Sequence, residues 1–227
     1  MARRGVCFRL GDFTLPQVFS RKTDQIVYFV LYGALVIVIV GPSIWLIISH
    51  SSYATGQFTP YEQPVPFSHK HHVGDVGLDC RYCHQGVETS NSAGLPATEI
   101  CMTCHSQIFA NADVLGPVRQ SFASRTPLEW TRVNSVPDFV FFNHAVHVNN
   151  GVGCVTCHGR VDQMPITWQA APLTMQWCLN CHRDPGPNLR PRNQIYSMTW
   201  RPQGDRKKLA ESLLAHYRIH TDTMTDC

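Results

Sequence analysis

Four pentapeptides carry the chemistry of this chain: Cys80-Arg81-Tyr82-Cys83-His84, Cys101-Met102-Thr103-Cys104-His105, Cys154-Val155-Thr156-Cys157-His158 and Cys178-Leu179-Asn180-Cys181-His182. In a Cys-x-x-Cys-His pentapeptide the two thiols form thioethers to the edge of a porphyrin, and the adjoining imidazole reaches the iron from one side. Cys-x-x-Cys is also the grammar of structural zinc, but zinc makes no demand for a histidine directly after every second cysteine. At this content of Cys and His, chance supplies on the order of 0.02 such pentapeptides, and the chain has four. The pattern predicts four covalently held haems c, with His84, His105, His158 and His182 as iron ligands.

The sixth iron position sets how the metal behaves, because a histidine or a methionine there tunes it differently. Phe67-Ser68-His69 with His72 precedes the first pentapeptide, and Phe142-Asn143-His144 with His147 precedes the third. From His69 to His144 is 75 residues, from Cys80 to Cys154 is 74 and from Cys101 to Cys178 is 77, which marks an internal duplication. His69, His72, His144 and His147 are therefore the expected distal ligands, with His69 assigned to the first haem and His144 to the third. His71 aligns with Val146 and is expected to be a bystander. Met164 and Met175, ahead of the fourth motif, are rival ligands, although a methionine among haem-packing side chains is more often filler.

These groups have to be held by very little protein. Residues 50–227 leave about 44 residues per haem, so the expected fold is mostly irregular and α-helical, wrapped around clustered haems. Two dihaem modules are expected, over residues 67–126 and 127–204. Within the first, apolar residues at Ile108, Ala112, Leu115, Val118 and Phe122 predict a helix over 106–122, interrupted or restarted near Pro117. Residues 127–142 read as extended. Pro185, Pro187, Pro191 and Pro202 predict an irregular wrap. A last helix is expected from Asp205, a good N-cap, with Leu209, Leu213, His216 and His220 on one face. That places His216 and His220 as further candidate ligands within the C-terminal helix and tail, 205–227.

Ahead of the haem modules, Ile26 to Ile48 contains no charged residue. As a helix these residues span about 35 Å, enough for a hydrocarbon core of about 30 Å. Arg3, Arg4, Arg9, Arg21 and Lys22 precede this run against only Asp12 and Asp24. That asymmetry predicts a cytoplasmic tail over 1–25, a single transmembrane helix over 26–48 kinked at Gly41-Pro42, and a haem domain on the extracytoplasmic side of the cell membrane. A cleaved signal peptide is the alternative, with Ser52-Tyr53-Ala54 as a weak site, but the apolar run is too long for it. A Pro- and Ser-rich stalk is expected over 49–66. Charged residues make up 15% of the chain, against about 25% in an ordinary soluble domain, which points to surface facing membrane and partner proteins. A net charge of +3 is too mild for nucleic-acid binding.

The pairing of Phe-x-His-x-x-His with two attachment motifs resembles the class III multihaem cytochromes of sulfate reducers. The segments Pro127-Leu128-Glu129-Trp130-Thr131-Arg132-Val133, Pro137 to His144 and Ala171-Pro172-Leu173-Thr174-Met175-Gln176-Trp177-Cys178 look like the multihaem cytochrome c subunit of bacterial alternative complex III, over residues 20–227. The resemblance implies an electron-transfer subunit of a quinol-oxidising complex, with no substrate chemistry of its own. It also implies an iron–sulfur subunit of the molybdopterin-enzyme family, polysulfide-reductase-like membrane subunits and a monohaem cytochrome c as partners. Subunits of that kind typically carry a fifth haem after a C-terminal helix. On that resemblance Cys227 is expected to open a fifth attachment motif in a chain that continues. The membrane-anchored tetrahaem quinol dehydrogenases are the alternative, but they place a methionine where Gly86 stands. A catalytic multihaem reductase would call for an open iron position or a Cys-x-x-Cys-Lys motif, and the sequence contains no such motif.

Overall fold

The computed structural model describes residues 20–225, in two units: residues up to His50, and Ser51 onward. Cys7, Cys227 and Arg3, Arg4 and Arg9 lie outside the described residues.

The first unit is one helix, α1, Arg21–Ser49. Ser20 caps it by accepting from the Thr23 backbone N–H at 3.3 Å. The helix runs through Pro42, and the Ser43 hydroxyl donates to the Ile39 carbonyl at 3.1 Å. Its Lys22–Ser49 stretch is long and apolar enough to cross a membrane by length and composition. Phe29, Ile37 and Ile47 are among its most exposed side chains.

The second unit is built of short helices joined by irregular chain: α2 Ser52–Thr55, α3 Cys80–Cys83, α4 Thr98–His105, α5 Gly116–Ser124, α6 His144–Asn149, α7 Cys154–His158, α8 Met175–Arg183 and α9 Arg206–Tyr217. A π-helical turn covers Lys70–Asp75. Among the described residues there is no strand, only isolated bridges such as Pro60 with Trp168 and Gln57 with Gln169. These bridges dock the expected stalk onto the chain ahead of α8, where Gln57 Nε2 donates to the Ala170 carbonyl at 2.9 Å and Gln169 Nε2 to the Thr55 carbonyl at 3.1 Å. Residues 55–60 are thus part of the folded unit.

All four attachment motifs lie on helices: one on α3 with His84 as its C-cap, and the others within α4, α7 and α8. On one helical turn the i and i+3 cysteines share a face, so both thiols of a motif can meet one porphyrin edge. Of the helix expected over 106–122, only the part from Asp113 onward is helical, as a 3-10 turn over Asp113–Leu115 followed by α5. α4 ends at His105, and α5 begins only at Gly116 with Pro117 in its first turn. Proline there lacks an N–H that the helix start does not use, so the helix restarts at Pro117.

Side chains alone supply little core. The buried apolar residues are few, including Val87, Val118, Val148, Met164, Leu189, Ile195 and Leu213, and among the described residues no large side chain is completely buried. Val87, Val148 and Ile195 form one cluster with Ala93, Cys154 and Tyr196 against it, joining the two halves of the duplication. Elsewhere backbone meets backbone closely: a Cβ on Gly74 would lie 2.5 Å from the Asp162 carbonyl oxygen.

α9 packs through Ala210 and Leu214 on Gly186, and through Tyr217 on Gly151. This corrects the face expected for it. Leu213 is buried, but His216 is exposed at the helix end with its ring against Tyr217, at 4.9 Å between centres. His220 is exposed and outside the helix, because Arg218 adopts a left-handed conformation at φ 56° and ends it. Neither ring faces the interior. Asp205 caps the helix as expected, accepting from the Lys207 and Lys208 N–H groups at 2.9 and 3.2 Å.

Candidate haem centres

The eight histidines of the duplicated pattern meet in four pairs. His69 faces His84 with ring centres 6.4 Å apart, His72 faces His105 at 6.1 Å, His144 faces His158 at 6.3 Å, and His147 faces His182 at 6.2 Å. Two metal–nitrogen bonds of about 2 Å, with about 1.2 Å from each nitrogen to its ring centre, require about 6.4 Å. The four spacings fit an iron held between two imidazoles and are too long for direct ring contact. Each pair joins one pentapeptide histidine to one upstream histidine, in the order 69–84, 72–105, 144–158 and 147–182.

Local structure explains how two neighbouring histidines reach different partners. Phe67 contacts both His69 and His72, edge-on at 4.9 Å and stacked at 4.4 Å. Phe142 does the same for His144 and His147, at 4.7 and 4.5 Å. The phenyl ring fixes the two imidazoles at about a right angle to each other within one turn. His72 Nδ1 donates to the Ser68 carbonyl at 2.9 Å, and its counterpart His147 to the Asn143 carbonyl at 2.8 Å.

Four more rings are anchored through Nδ1 to backbone carbonyls: His84 to Gly94 at 2.8 Å, His105 to Ile108 at 3.0 Å, His144 to Asn91 at 3.0 Å and His182 to Met224 at 3.1 Å. A carbonyl oxygen only accepts, so each of these six rings carries a proton on Nδ1 and turns its Nε2 toward the facing ring, where a metal would sit. His69 is anchored differently, with Nδ1 2.7 Å from the Thr167 hydroxyl. His158 has no hydrogen-bonded partner among the described residues. Burial and the neighbouring histidines hold His69 and His158 down to about 4, and burial also lowers His147. They are neutral near pH 7, the form that binds metal.

The pairs stand in a row. Pairs 72–105 and 69–84 adjoin through Phe67, and pairs 144–158 and 147–182 through Phe142. The two halves meet where the Cys80 and Cys154 side chains adjoin and where His158 lies within electrostatic reach of His69 and His84. The interior of the row is therefore 69–84 and 144–158. The eight cysteines Cys80, Cys83, Cys101, Cys104, Cys154, Cys157, Cys178 and Cys181 are all free of disulfides. Burial raises the Cys83, Cys101, Cys178 and Cys181 thiols and pushes Cys157 up to about 12. Such sites suit a neutral thioether better than a thiolate. Among the described residues no three His, Cys, Asp or Glu side chains converge as a zinc site would require.

Residues 65–121 match the family described as cytochrome c7 and related cytochrome c. The menaquinone reductase multihaem cytochrome c subunit of Nitratidesulfovibrio vulgaris Hildenborough is 38% identical to this chain over 102 residues, which is 44% of this chain and 48% of that protein. The chain thus spans about half the length of the curated relative it matches. This is a multihaem cytochrome c.

In this cytochrome Met164 is 2% exposed and its carbonyl accepts the Lys70 N–H at 3.0 Å, whereas Met175 is 39% exposed at the start of α8. Neither stands in the row, where every pentapeptide histidine faces a histidine. His71 is exposed and lies 3.6 Å from Asp75 across one turn. The groups that sequence reading misses are Thr167 and the carbonyls of Asn91, Gly94, Ile108 and Met224. A backbone carbonyl has no sequence signal, and Thr167 is 98 residues from the ring it meets.

Proposed function

We propose that this cytochrome is the membrane-anchored electron-transfer subunit of a quinone-linked respiratory or photosynthetic complex, of the alternative complex III kind, with four haems c each held between two histidines. The observation that carries the reading is the set of four facing ring pairs at 6.1 to 6.4 Å. Haem c supplies reversible one-electron exchange at its iron. The chain's own part is to orient eight imidazoles, to hold eight thiols at the porphyrin edges, and to keep the sites in one row. Likeness to a menaquinone reductase subunit supports the link to a quinone pool, and α1 supports the membrane anchor. The partners that follow are an iron–sulfur subunit of the molybdopterin-enzyme family, polysulfide-reductase-like membrane subunits and a monohaem cytochrome c. The haem domain lies on the extracytoplasmic side.

A pyridine haemochrome spectrum with intact mass on the purified holoprotein is expected to count one covalent haem for each of the four pentapeptides. A count below four overturns the reading. For the topology, protease added to right-side-out vesicles is expected to release the haem-stained domain. Loss of the N-terminal tail alone would place the haems on the wrong side.

A further inference from the structure

The duplication places equivalent histidines in unequal hydrogen bonds. At the two ends of the row both rings of each site donate to backbone carbonyls: His72 to Ser68 and His105 to Ile108, His147 to Asn143 and His182 to Met224. Each interior site has one such ring. His84 donates to Gly94 and His144 to Asn91, but His69 meets only the Thr167 hydroxyl, and the His158 ring makes no hydrogen bond among the described residues.

An imidazole whose N–H donates to a strong acceptor gains imidazolate character, becomes a better electron donor and stabilises the more highly charged oxidised iron. An amide carbonyl is a stronger acceptor than a neutral hydroxyl, and a missing acceptor gives nothing. From these contacts we infer that the protein sorts its four sites into two classes, with the interior pair 69–84 and 144–158 at higher potential than the end pair, and that Thr167 is the positioning residue that sets the 69–84 site.

Thr167 is well placed for this. It adjoins Trp168 and Gln169, which bridge to Pro60 and Gln57, and the Phe58 N–H donates to the Gln169 carbonyl at 2.9 Å. The hydroxyl is thereby presented to His69 from the opposite half of the duplication, and the segment just after α2 holds it there. The equivalent ring, His144, receives a carbonyl from the first half instead.

The inference rests on the bis-histidine reading, and the test separates the two. A spectroscopic redox titration of the holoprotein is expected to resolve two higher and two lower components. Thr167→Val keeps the β-branched shape and removes the acceptor, so one of the two higher components is expected to move further up while the other three stay. Thr167→Ser restores the wild-type profile. If Thr167→Val moves a lower component or none, while His69→Ala still converts one haem to high-spin, the inference falls and the ligand assignment stands. If His69→Ala leaves every haem low-spin, the ligand assignment itself falls and takes the inference with it.

Discussion

Alanine in place of His147 is expected to leave one of four haems high-spin and the other three low-spin, and the same holds singly for His69, His72 and His144. Each of these rings is the distal half of a pair, and removing it takes away one of the two strong-field nitrogens. His71→Ala, two residues from His69 but exposed and turned toward Asp75, is expected to change nothing. The ring planes make the assignment finer. They lie within 8° in the 69–84 pair, 4° in 144–158 and 25° in 147–182, but cross at 69° in 72–105. Parallel imidazoles act on the same iron d-orbital and split the pair, whereas crossed ones act on both alike and leave them nearly degenerate. The 72–105 site is thus expected to give the most anisotropic low-spin signal in electron paramagnetic resonance, and His72→Ala to abolish that signal alone. Unchanged spectra in all four single variants would sink the ligand assignment.

Gly151→Ala is expected to be the most damaging small substitution in the haem domain. Gly151 sits at φ 85°, and a Cβ there would overlap the Tyr217 ring, whose hydroxyl donates to the Arg190 carbonyl at 2.8 Å. The left-handed backbone costs an alanine about 1–2 kcal/mol, and displacing a packed ring costs about 1–3 kcal/mol. The neighbourhood has no slack. Arg190 packs its side chain on Gly153, and its Nη1 donates to the Ser197 carbonyl at 2.6 Å; nearby, the Cys154 N–H donates to the Ile195 carbonyl at 3.2 Å. A loss of about 2–4 kcal/mol corresponds to a fall in melting temperature of about 5–15 °C for a domain of this size. Thermal unfolding of the holoprotein followed at the haem absorbance checks it. A shift under about 2 °C would mean that α9 is not seated there.

The chemistry of this chain was written locally and could be read locally. Cys-x-x-Cys-His is five consecutive residues, so attachment and the first ligand need no tertiary fold to be recognised. The Phe-x-His-x-x-His turn is also local, and its repetition 75 residues on singled out the four upstream histidines that face the pentapeptide histidines. The apolar run of α1 and the Asp205 cap are legible for the same reason, because hydropathy and helix termini depend on near neighbours. The face of α9 was not. It depends on where Arg218 turns left-handed and on which side Gly186 and Gly151 admit close packing, so His216 and His220 point outward in spite of their spacing. At Pro117 interruption and restart were both open, because a proline carries the same signal whether it breaks a helix or begins one, and α5 begins there. The order of the sites in space was decided by tertiary structure alone. It required Val87 to meet Val148 and Ile195 and a threonine 98 residues away to reach the His69 ring, contacts between groups that share no local pattern and are joined only by the packing of one half of the duplication on the other.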